Sequence, residues 1–214
     1  MQWPRTEKEA LEEQDALRAR VLPGPGPASP GAVAGLDVAY QGDRLAAAVV
    51  VLDPVTLDLV DTAVVRGTPA FPYVPGLFAF REIPALLDAL DRLRVRPDVL
   101  ICDGHGMAHP RRFGLASHLG VLTGLPSFGV GKTRLIGHWE PVGAKRGERS
   151  DLVDDGETVG AVLRTQDQVK PVFVSTGHRM DLETACSLTL RLTPRFRLPE
   201  TTRAADRACR DAVS

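Results

Sequence analysis

The order of apolar runs along the chain constrains its fold more than any other feature. Three runs rich in valine and alanine, at 32–38, 45–52 and 58–65, are separated only by short polar breaks. This spacing predicts three strands in an antiparallel meander. A helix is predicted at 83–93 and is followed by the short, wholly apolar run 98–102. Such a run predicts a strand that is buried on both faces, as the strands of parallel sheets are.

The rest of the chain continues with alternating helices and strands. Further helices are predicted at 5–21, 110–122 and 181–192, further strands at 126–130, 158–164 and 171–175, a polar and glycine-rich loop at 138–157, and a basic tail after 192. A meander that leads into alternating helices and strands predicts the α/β class. The predicted architecture is a ribonuclease-H-like mixed sheet flanked by helices.

Composition sets the domain count and limits the way in which the chain can bind a charged partner. With 214 residues, of which 43% are hydrophobic, the chain can bury one sizeable core, and we predict a single domain over 1–214. Within it, 1–28 is predicted to be an N-terminal helix and a Pro/Gly linker. The formal net charge is −1, so nucleic-acid binding would need a local basic patch. The candidates are the arginines from Arg179 to Arg210 and a cluster from Lys132 to Arg149.

The cysteines and the N-terminal segment indicate the cellular compartment. The three cysteines, Cys102, Cys186 and Cys209, form no CxxC pair, which is typical of reduced cytosolic thiols. The N-terminal stretch is charged and has no apolar core of a secretion signal. No uncharged apolar stretch reaches the ~18 residues of a membrane span. We therefore expect a cytoplasmic protein, a monomer with no membrane contact.

Three carboxylates lie at or near the ends of predicted elements. Asp37 sits in an apolar strand, where an unpaired charge is costly to bury. Asp103 follows the strand 98–102, at the position where open α/β sheets bind ligands, and Glu82 opens a predicted helix. If all three meet at one sheet edge, their oxygen atoms would suit Mg²⁺ or Mn²⁺. Each also has a plainer interpretation, because aspartates cap turns and a glutamate favours a helix N-terminus.

His178 follows an apolar strand, and the residues around it leave its role open. It is a candidate metal ligand, a candidate for orienting an attacking water, or a surface histidine before a helix.

Two tempting motifs fail their own patterns. The segment Gly129-Val-Gly-Lys132-Thr133 ends like a phosphate-binding P-loop, but Pro126 occupies the position that needs glycine. His105 and His109 have the spacing of a zinc-binding helix, but the glycine and proline at positions 106 and 110 disfavour a helix through them.

A series of motifs spread over roughly 30–207 carries the most specific signal. The motifs are Gly35-Leu-Asp37-Val-Ala-Tyr40, Pro72-Tyr73-Val74-Pro75-Gly76 with Phe80-Arg81-Glu82 after it, the segment from Asp103 to Gly120, Gly129-Val-Gly-Lys132-Thr133, Val174-Ser-Thr-Gly-His178-Arg179, and Leu198 to Asp206. In this order they closely resemble the motifs of the endonuclease V family. There are two departures: Val74 replaces the isoleucine of the family's Pro-Tyr-Ile-Pro wedge, and Gly131 stands where alanine is more usual.

The resemblance implies a ribonuclease-H-like fold and an enzyme that hydrolyses a phosphodiester with Mg²⁺, for which Mn²⁺ would substitute. The implied partner is DNA that contains deoxyinosine, the deamination product of adenine, or RNA that contains inosine. The implied cut is at the second phosphodiester 3′ to the lesion, leaving 3′-hydroxyl and 5′-phosphate ends and starting DNA repair.

The resemblance also implies residue roles. Asp37, Glu82, Asp103 and His178 take the active-site positions, with Asp37 and Asp103 as the expected direct metal ligands. Substrate-binding positions fall on Tyr73 as the wedge, on His109 and Lys132 at backbone phosphate, and on Gly76, Gly104, Gly106 and Gly129 around the pocket for the flipped base. A base must leave the stack before a tight pocket can read it, and Tyr73 would then fill the gap; the plainer interpretation is a buried loop anchor.

Three alternatives remain open at this point. A related nuclease that acts on junctions or RNA would be separated by comparing cleavage of matched DNA and RNA oligonucleotides. A nucleic-acid-binding module without catalysis is disfavoured because binding alone needs no metal carboxylates. A nucleotide-binding P-loop protein is disfavoured by Pro126 and would reveal itself if ATP raised the melting temperature.

Overall fold

A computed structural model describes residues 3–214, so Met1 and Gln2 of the predicted N-terminal segment lie outside the described residues. The strands are β1 Val33–Gln41, β2 Arg44–Leu52, β3 Leu59–Gly67, β4 Val99–Cys102, β5 Ser127–Gly131, β6 Arg149–Asp154, β7 Glu157–Leu163 and β8 Val172–Thr176. The helices are α1 Glu7–Arg18, α2 Ala79–Asp91, α3 Leu115–Thr123, α4 Leu182–Arg191 and α5 Glu200–Val213.

All eight strands form one mixed sheet in the order β3-β2-β1-β4-β5-β8-β7-β6. The first three strands form the antiparallel meander, and β1, β4 and β5 run parallel to one another. The strands β8, β7 and β6 complete the sheet in antiparallel fashion. Because β1, β4 and β5 point the same way, the residues that follow them meet at one edge of the sheet. The predicted mixed α/β sheet flanked by helices is confirmed.

Helices cover both faces of the sheet. One face packs against α2 and α3 through a core that includes Leu36, Val49 and Leu86. The other face packs against α4 through side chains such as Ile101 and Leu188, and against α5 through Ala205 and Cys209. This burial on both sides explains the wholly apolar sequence of β4, because neither of its faces meets water.

Helix α2 begins four residues earlier than the sequence indicates, and Pro84 lies inside it rather than in its first turn. Proline has no N–H to donate to the carbonyl four residues before it. That carbonyl, of Phe80, accepts a hydrogen bond of 2.9 Å from the Trp3 indole instead. The orphaned acceptor is thus satisfied by tertiary structure, which a local pattern does not reveal.

Three other expectations about elements are corrected. The predicted loop 138–157 contains the strand β6, and the basic tail contains the helix α5. Helix α3 begins at Leu115 rather than near 110, because the preceding residues form an irregular loop over the sheet edge. Within residues 3–214, no helix is long and apolar enough to cross a bilayer. The three cysteines are buried and free, as expected.

Candidate active site

Two aspartates stand side by side where β1 and β4 meet. Leu36 pairs with Cys102, the last residue of β4, so Asp37 and Asp103 are the next residues on the two strands. The Asp103 amide donates to the Leu36 carbonyl at 3.2 Å. Burial, and then the neighbouring Asp103 carboxylate, raise the pKa of Asp37 to about 7. Two half-buried acids at this spacing disfavour each other's ionisation.

Glu82 joins this pair from the first turn of α2. Its side chain is buried and accepts a hydrogen bond of 3.2 Å from the Tyr40 hydroxyl. Burial, and then the charge of Asp37, raise the pKa of Glu82 to about 8. The structure therefore brings the three predicted carboxylates together at one sheet edge.

Lys132 and Asp206 complete the cluster. Lys132 follows β5, and its ammonium forms an ion pair with the Asp103 carboxylate. Burial opposes the charge of Lys132, but Asp103, Asp37 and Asp206 outweigh it and raise the pKa of the ammonium. Asp206 lies on α5, and its negative charge contributes to the raised pKa of Asp37.

Sequence reasoning missed the role of Asp206. In the sequence, Asp206 falls in the closing motif of the resemblance and among the acidic residues of a basic tail, and neither feature indicates a place at the site. The signal that could have revealed it is α5 itself, an amphipathic helix with Ala205 and Cys209 buried against the sheet. In that helical register Asp206 lies beside the buried stripe, near enough to Asp37 in the middle of β1 for its charge to act on that carboxyl.

The donor set fits a divalent cation. Four carboxylates and one lysine share this site, and burial, with the excess of negative charge adding to it, raises the pKa values of Asp37 and Glu82. Within residues 3–214, no three His, Cys, Asp or Glu side chains converge closely enough to form a closed ligand cage. A pair of carboxylates is nonetheless the usual protein contribution to Mg²⁺, which keeps several waters and takes further oxygens from substrate phosphates.

A cavity of about 430 Å³ opens beside the carboxylates. One wall carries Tyr73, Gly76 and Phe78 from the loop before α2, and the others carry Asp103 to His105, His109, Phe113 to Leu115, and Leu135. Tyr73 is 67% exposed at the rim, where its ring meets Phe78 edge-on. The plainer interpretation of Tyr73 as a buried anchor is therefore wrong.

Some residues that line this cavity have backbone N–H groups without an acceptor within residues 3–214. The N–H groups of Gly76, Phe78 and Gly104 donate to no acceptor within the described part of the chain. Gly76 and Gly104 have φ values of 79° and 149°, which only glycine adopts readily. Unpaired N–H groups in a half-enclosed cavity are costly unless a ligand or water accepts from them.

The other predicted glycines support the cavity from beneath. A Cβ at Gly129 would lie 2.5 Å from the Gly104 carbonyl oxygen, and one at Gly106 would lie 2.1 Å from that of Thr176. Both glycines let the loop of 103–114 lie directly on the sheet. They do not line the cavity, which corrects their expected place around the base pocket.

His109 lines the base-sized cavity rather than the cluster around Lys132. Burial lowers the pKa of His109 to about 4, so the ring is neutral. Its Nδ1 accepts a hydrogen bond of 3.2 Å from the Arg111 amide. A neutral ring in this cavity does not supply the cationic phosphate contact that Lys132 can make, which separates two residues that the resemblance grouped together.

The structure places His178 away from the carboxylates, which corrects its predicted position in the active site. Its Nδ1 accepts from the Leu22 amide at 3.2 Å, and its own amide donates to the Ser127 hydroxyl. Ser127 begins β5 and Lys132 follows its end, so at ~3.3 Å per residue the two lie roughly 16 Å apart. Burial, and then Arg179 and Arg20, lower the pKa of His178, with no site carboxylate contributing. His178 secures the N-terminal linker at the opposite edge of the sheet.

A groove of about 400 Å³ runs from the carboxylates along α5. Its lining includes Asp103, Lys132, Arg203, Asp206, Arg207 and Arg210. The final arginines thus reach the site, in agreement with the proposed patch. The second proposed basic cluster, from Lys132 to Arg149, does not form one patch, because Lys145 pairs with Asp167 and Arg149 pairs with Glu183.

The carboxylate site lies between a base-sized cavity and a basic groove, and comparison with known proteins shows the family of the chain. The model of the Endonuclease V family matches residues 16–207. The chain belongs to the endonuclease V family. The endonuclease V of Streptomyces avermitilis is 57% identical, with 99% of this chain and 94% of that protein aligned. Its crystal structure matches with a TM-score of 0.95.

More distant structures locate this endonuclease V family member among known folds. The endonuclease V of Ciona intestinalis, solved with a 24mer DNA containing an inosine followed by a ribo-adenosine, is 28% identical with a TM-score of 0.84 and covers 96% of this chain and 97% of its own. The match to the Argonaute of A. aeolicus covers 85% of this chain and 28% of that protein, at 18% identity and a TM-score of 0.54, and it concerns the fold alone. The ribonuclease-H-like fold is confirmed.

Proposed function

We propose that this chain is a Mg²⁺-dependent endonuclease that recognises deoxyinosine in DNA and hydrolyses the second phosphodiester 3′ to the lesion, which initiates repair. One observation carries the proposal: Asp103 lines both the base-sized cavity and the groove along α5. A base held in the cavity would therefore leave the adjoining strand in the groove, beside the carboxylates. The inosine-containing DNA bound by the Ciona relative supports the same substrate class.

The free N–H donors of the cavity favour hypoxanthine over adenine. Hypoxanthine carries a carbonyl oxygen where adenine carries an amino group, so donors from Gly76, Phe78 and Gly104 that meet this position would be satisfied by the deaminated base and not by the amino group of adenine. Adenine would place an N–H₂ group against N–H groups and leave both unpaired. An unsatisfied buried donor costs about 1–3 kcal/mol, which is enough to discriminate between two bases of the same shape.

Tyr73 provides the stacking surface at the cavity mouth. Its ring is exposed and is supported edge-on by Phe78, with ring centroids 6.1 Å apart. Stacking on an aromatic side chain contributes about 1–3 kcal/mol per base. We expect Tyr73 to occupy the gap that the flipped base leaves.

The carboxylates supply the hydrolytic step. Asp37 and Asp103 would hold Mg²⁺, with Glu82 and Asp206 completing the site directly or through water. When bound, the ion neutralises phosphate charge and lowers the pKa of a water that it ligates. Lys132, whose raised pKa keeps it cationic, would stabilise negative charge that develops on the phosphate.

The test is nicking of a duplex that carries one deoxyinosine, with Mg²⁺, with Mn²⁺ or with EDTA. We expect a metal-dependent nick at the second phosphodiester 3′ to the lesion that Asp103→Asn abolishes. Asp58→Asn, an exposed aspartate at the far end of the sheet, is the matched control and should cut normally. A folded protein that cuts neither the deoxyinosine duplex nor inosine RNA would contradict the proposal.

Inosine in RNA is the second candidate substrate. The observation that favours it is the ribo-adenosine that follows inosine in the DNA bound to the Ciona relative. Matched DNA, RNA and chimeric strands, cut in parallel, decide between the two. Faster cutting of all-RNA than of all-DNA would move the proposed substrate to RNA.

A further inference from the structure

The ring of His105 joins the two segments that build the candidate site. His105 belongs to the loop between β4 and α3, two residues after Asp103, and is half-buried. Its Nε2 lies 3.1 Å from the carbonyl oxygen of Thr133, in the segment that follows β5. Because the acceptor is a carbonyl, Nε2 must carry the hydrogen. Nδ1 has no partner within residues 3–214, so this single bond fixes the ring.

Gly131 makes room for that ring. A Cβ at position 131 would lie 2.5 Å from Cε1 and 2.7 Å from Nε2 of His105. Carbon atoms do not approach this closely, so any side chain at 131 would displace the ring. The imidazole therefore lies directly over the end of β5, in space that Gly131 leaves open and that a side chain at 131 would compete for.

The bond fixes a segment that carries two functional side chains. Lys132 precedes Thr133 and pairs with Asp103, and Leu135 follows it at the rim of the base-sized cavity. The Lys132 carbonyl is held separately by the Arg197 guanidinium at 2.6 Å. Two successive carbonyls are thus anchored. Arg197, in the loop before α5, holds the one before Thr133, and His105 holds that of Thr133 itself.

We propose that His105 is a positioning residue that, together with the space left by Gly131, holds Lys132 and Leu135 in register with Asp103. The inference rests on the proposed function, since it assigns these residues a joint role in one reaction. Base binding in the cavity and charge stabilisation at the phosphate then depend on the same hydrogen bond. A shift of the 132–135 segment of about 1 Å would lower the rate of the reaction up to ~100-fold.

Two substitutions of His105 distinguish the effect of its hydrogen bond from the effect of its side-chain volume. In His105→Gln, the terminal amide nitrogen can reach the place of Nε2 and restore the donor, whereas in His105→Asn the side chain is too short. We expect His105→Asn to lower kcat for the deoxyinosine duplex about tenfold with a smaller change in KM, as expected for loss of one well-aligned hydrogen bond. His105→Gln should recover most of that loss.

Gly131→Ala tests the same bond from the other side. It should lower kcat to a similar extent, because the added methyl group displaces the imidazole. The double variant, Gly131→Ala with His105→Asn, should be no slower than either single variant, since both remove one interaction. Additive losses would contradict a shared mechanism.

NMR relaxation of the backbone amides tests the tether without any catalysis. We expect lower order parameters at residues 133–135 in His105→Asn and Gly131→Ala, with wild-type values in His105→Gln and unchanged melting of the whole protein. Unchanged order parameters in both disruptive variants would overturn the proposal, whether or not the enzyme nicks DNA. If the disruptive variants lose order at 133–135 while the wild-type protein cuts no inosine-containing strand, the proposed function is refuted and the tether is retained.

Discussion

At the scale of single residues, the site is defined by acids that the fold holds together against their mutual repulsion. Asp37 and Glu82 have raised pKa values because each is buried and faces another carboxylate. Structural ion pairs usually lower such pKa values, whereas functional sites concentrate like charges. Lys132 compensates only part of this charge. The unbalanced remainder is the physical reason to expect a divalent cation here.

Asp206 is expected to contribute to activity although the sequence did not single it out. Asp206→Asn removes a charge that acts on Asp37 and Lys132. We expect the nicking rate to fall on the order of 100-fold, as for loss of a group that supports a catalytic metal. Asp211→Asn removes the same charge five residues along α5, at an exposed position in the same groove; it controls for loss of a groove charge and should have a much smaller effect. Equal losses in the two variants would indicate a general effect of charge.

His178 is expected to affect stability rather than chemistry. His178→Ala leaves the Leu22 amide without its acceptor, which costs about 1–3 kcal/mol. At roughly 2–4 °C per kcal/mol for a chain of this size, the melting temperature should fall by several degrees. His178→Asn, whose side-chain oxygen can replace Nδ1, should restore most of it. A large loss of kcat in a variant that melts normally would return His178 to the active site.

At the scale of elements, α5 determines whether the fourth carboxylate reaches the site. The helix lies across β1 and β2, with its first turn directly on β1. This approach requires Gly35, because a Cβ there would lie 2.2 Å from the Thr201 carbonyl. A glycine inside a strand commonly marks such a close approach of another backbone. By allowing α5 to lie close to β1, Gly35 thus determines the position of Asp206 although the two residues are not in contact.

Gly35→Ala is expected to lower stability and activity together. The added methyl group must push α5 away from β1, and overpacking of this kind costs about 1–3 kcal/mol. Thermal melting and nicking rates should both fall, and the nicking defect should persist at temperatures where the variant is fully folded. Gly67→Ala is the control, since a Cβ there meets nothing within 4 Å. Normal nicking by folded Gly35→Ala would show that α5 can shift without consequence.

At the scale of the whole molecule, the sequence reveals what depends on local pattern and neighbouring strands. The apolar runs predict the meander and β4, and the position after β4 predicts Asp103. The sequence does not predict the strand β6, because its residues are mostly polar and Leu152 is its one fully buried side chain. As an edge strand, β6 needs little apolar sequence. The sequence does not reveal the place of His178 because that place depends on strand direction. Since β8 runs antiparallel to β5, the residues that follow β8 lie at the opposite end of the strands from Lys132, which follows β5.

The unbalanced charge also predicts how pH and metal act on the stability of the folded protein. The metal-free fold raises the pKa of Asp37 to about 7 and that of Glu82 to about 8, whereas both lie near ~4 in an unfolded chain. Between these limits the folded state binds more protons than the unfolded one, so this contribution to stability is lost as pH rises. Mg²⁺ binds the deprotonated carboxylates and competes with those protons.

We therefore expect saturating Mg²⁺ to raise the melting temperature clearly at pH 8 and little at pH 5.5. Scanning fluorimetry with and without Mg²⁺ across that range measures the effect. In Asp37→Asn the metal-dependent shift should shrink at pH 8, because one ligand and one source of repulsion are both gone. A Mg²⁺ effect that is the same at both pH values, or that survives intact in Asp37→Asn, would place the ion elsewhere on the protein. The sign of the pH dependence thus tests whether the acids at the sheet edge are the metal site.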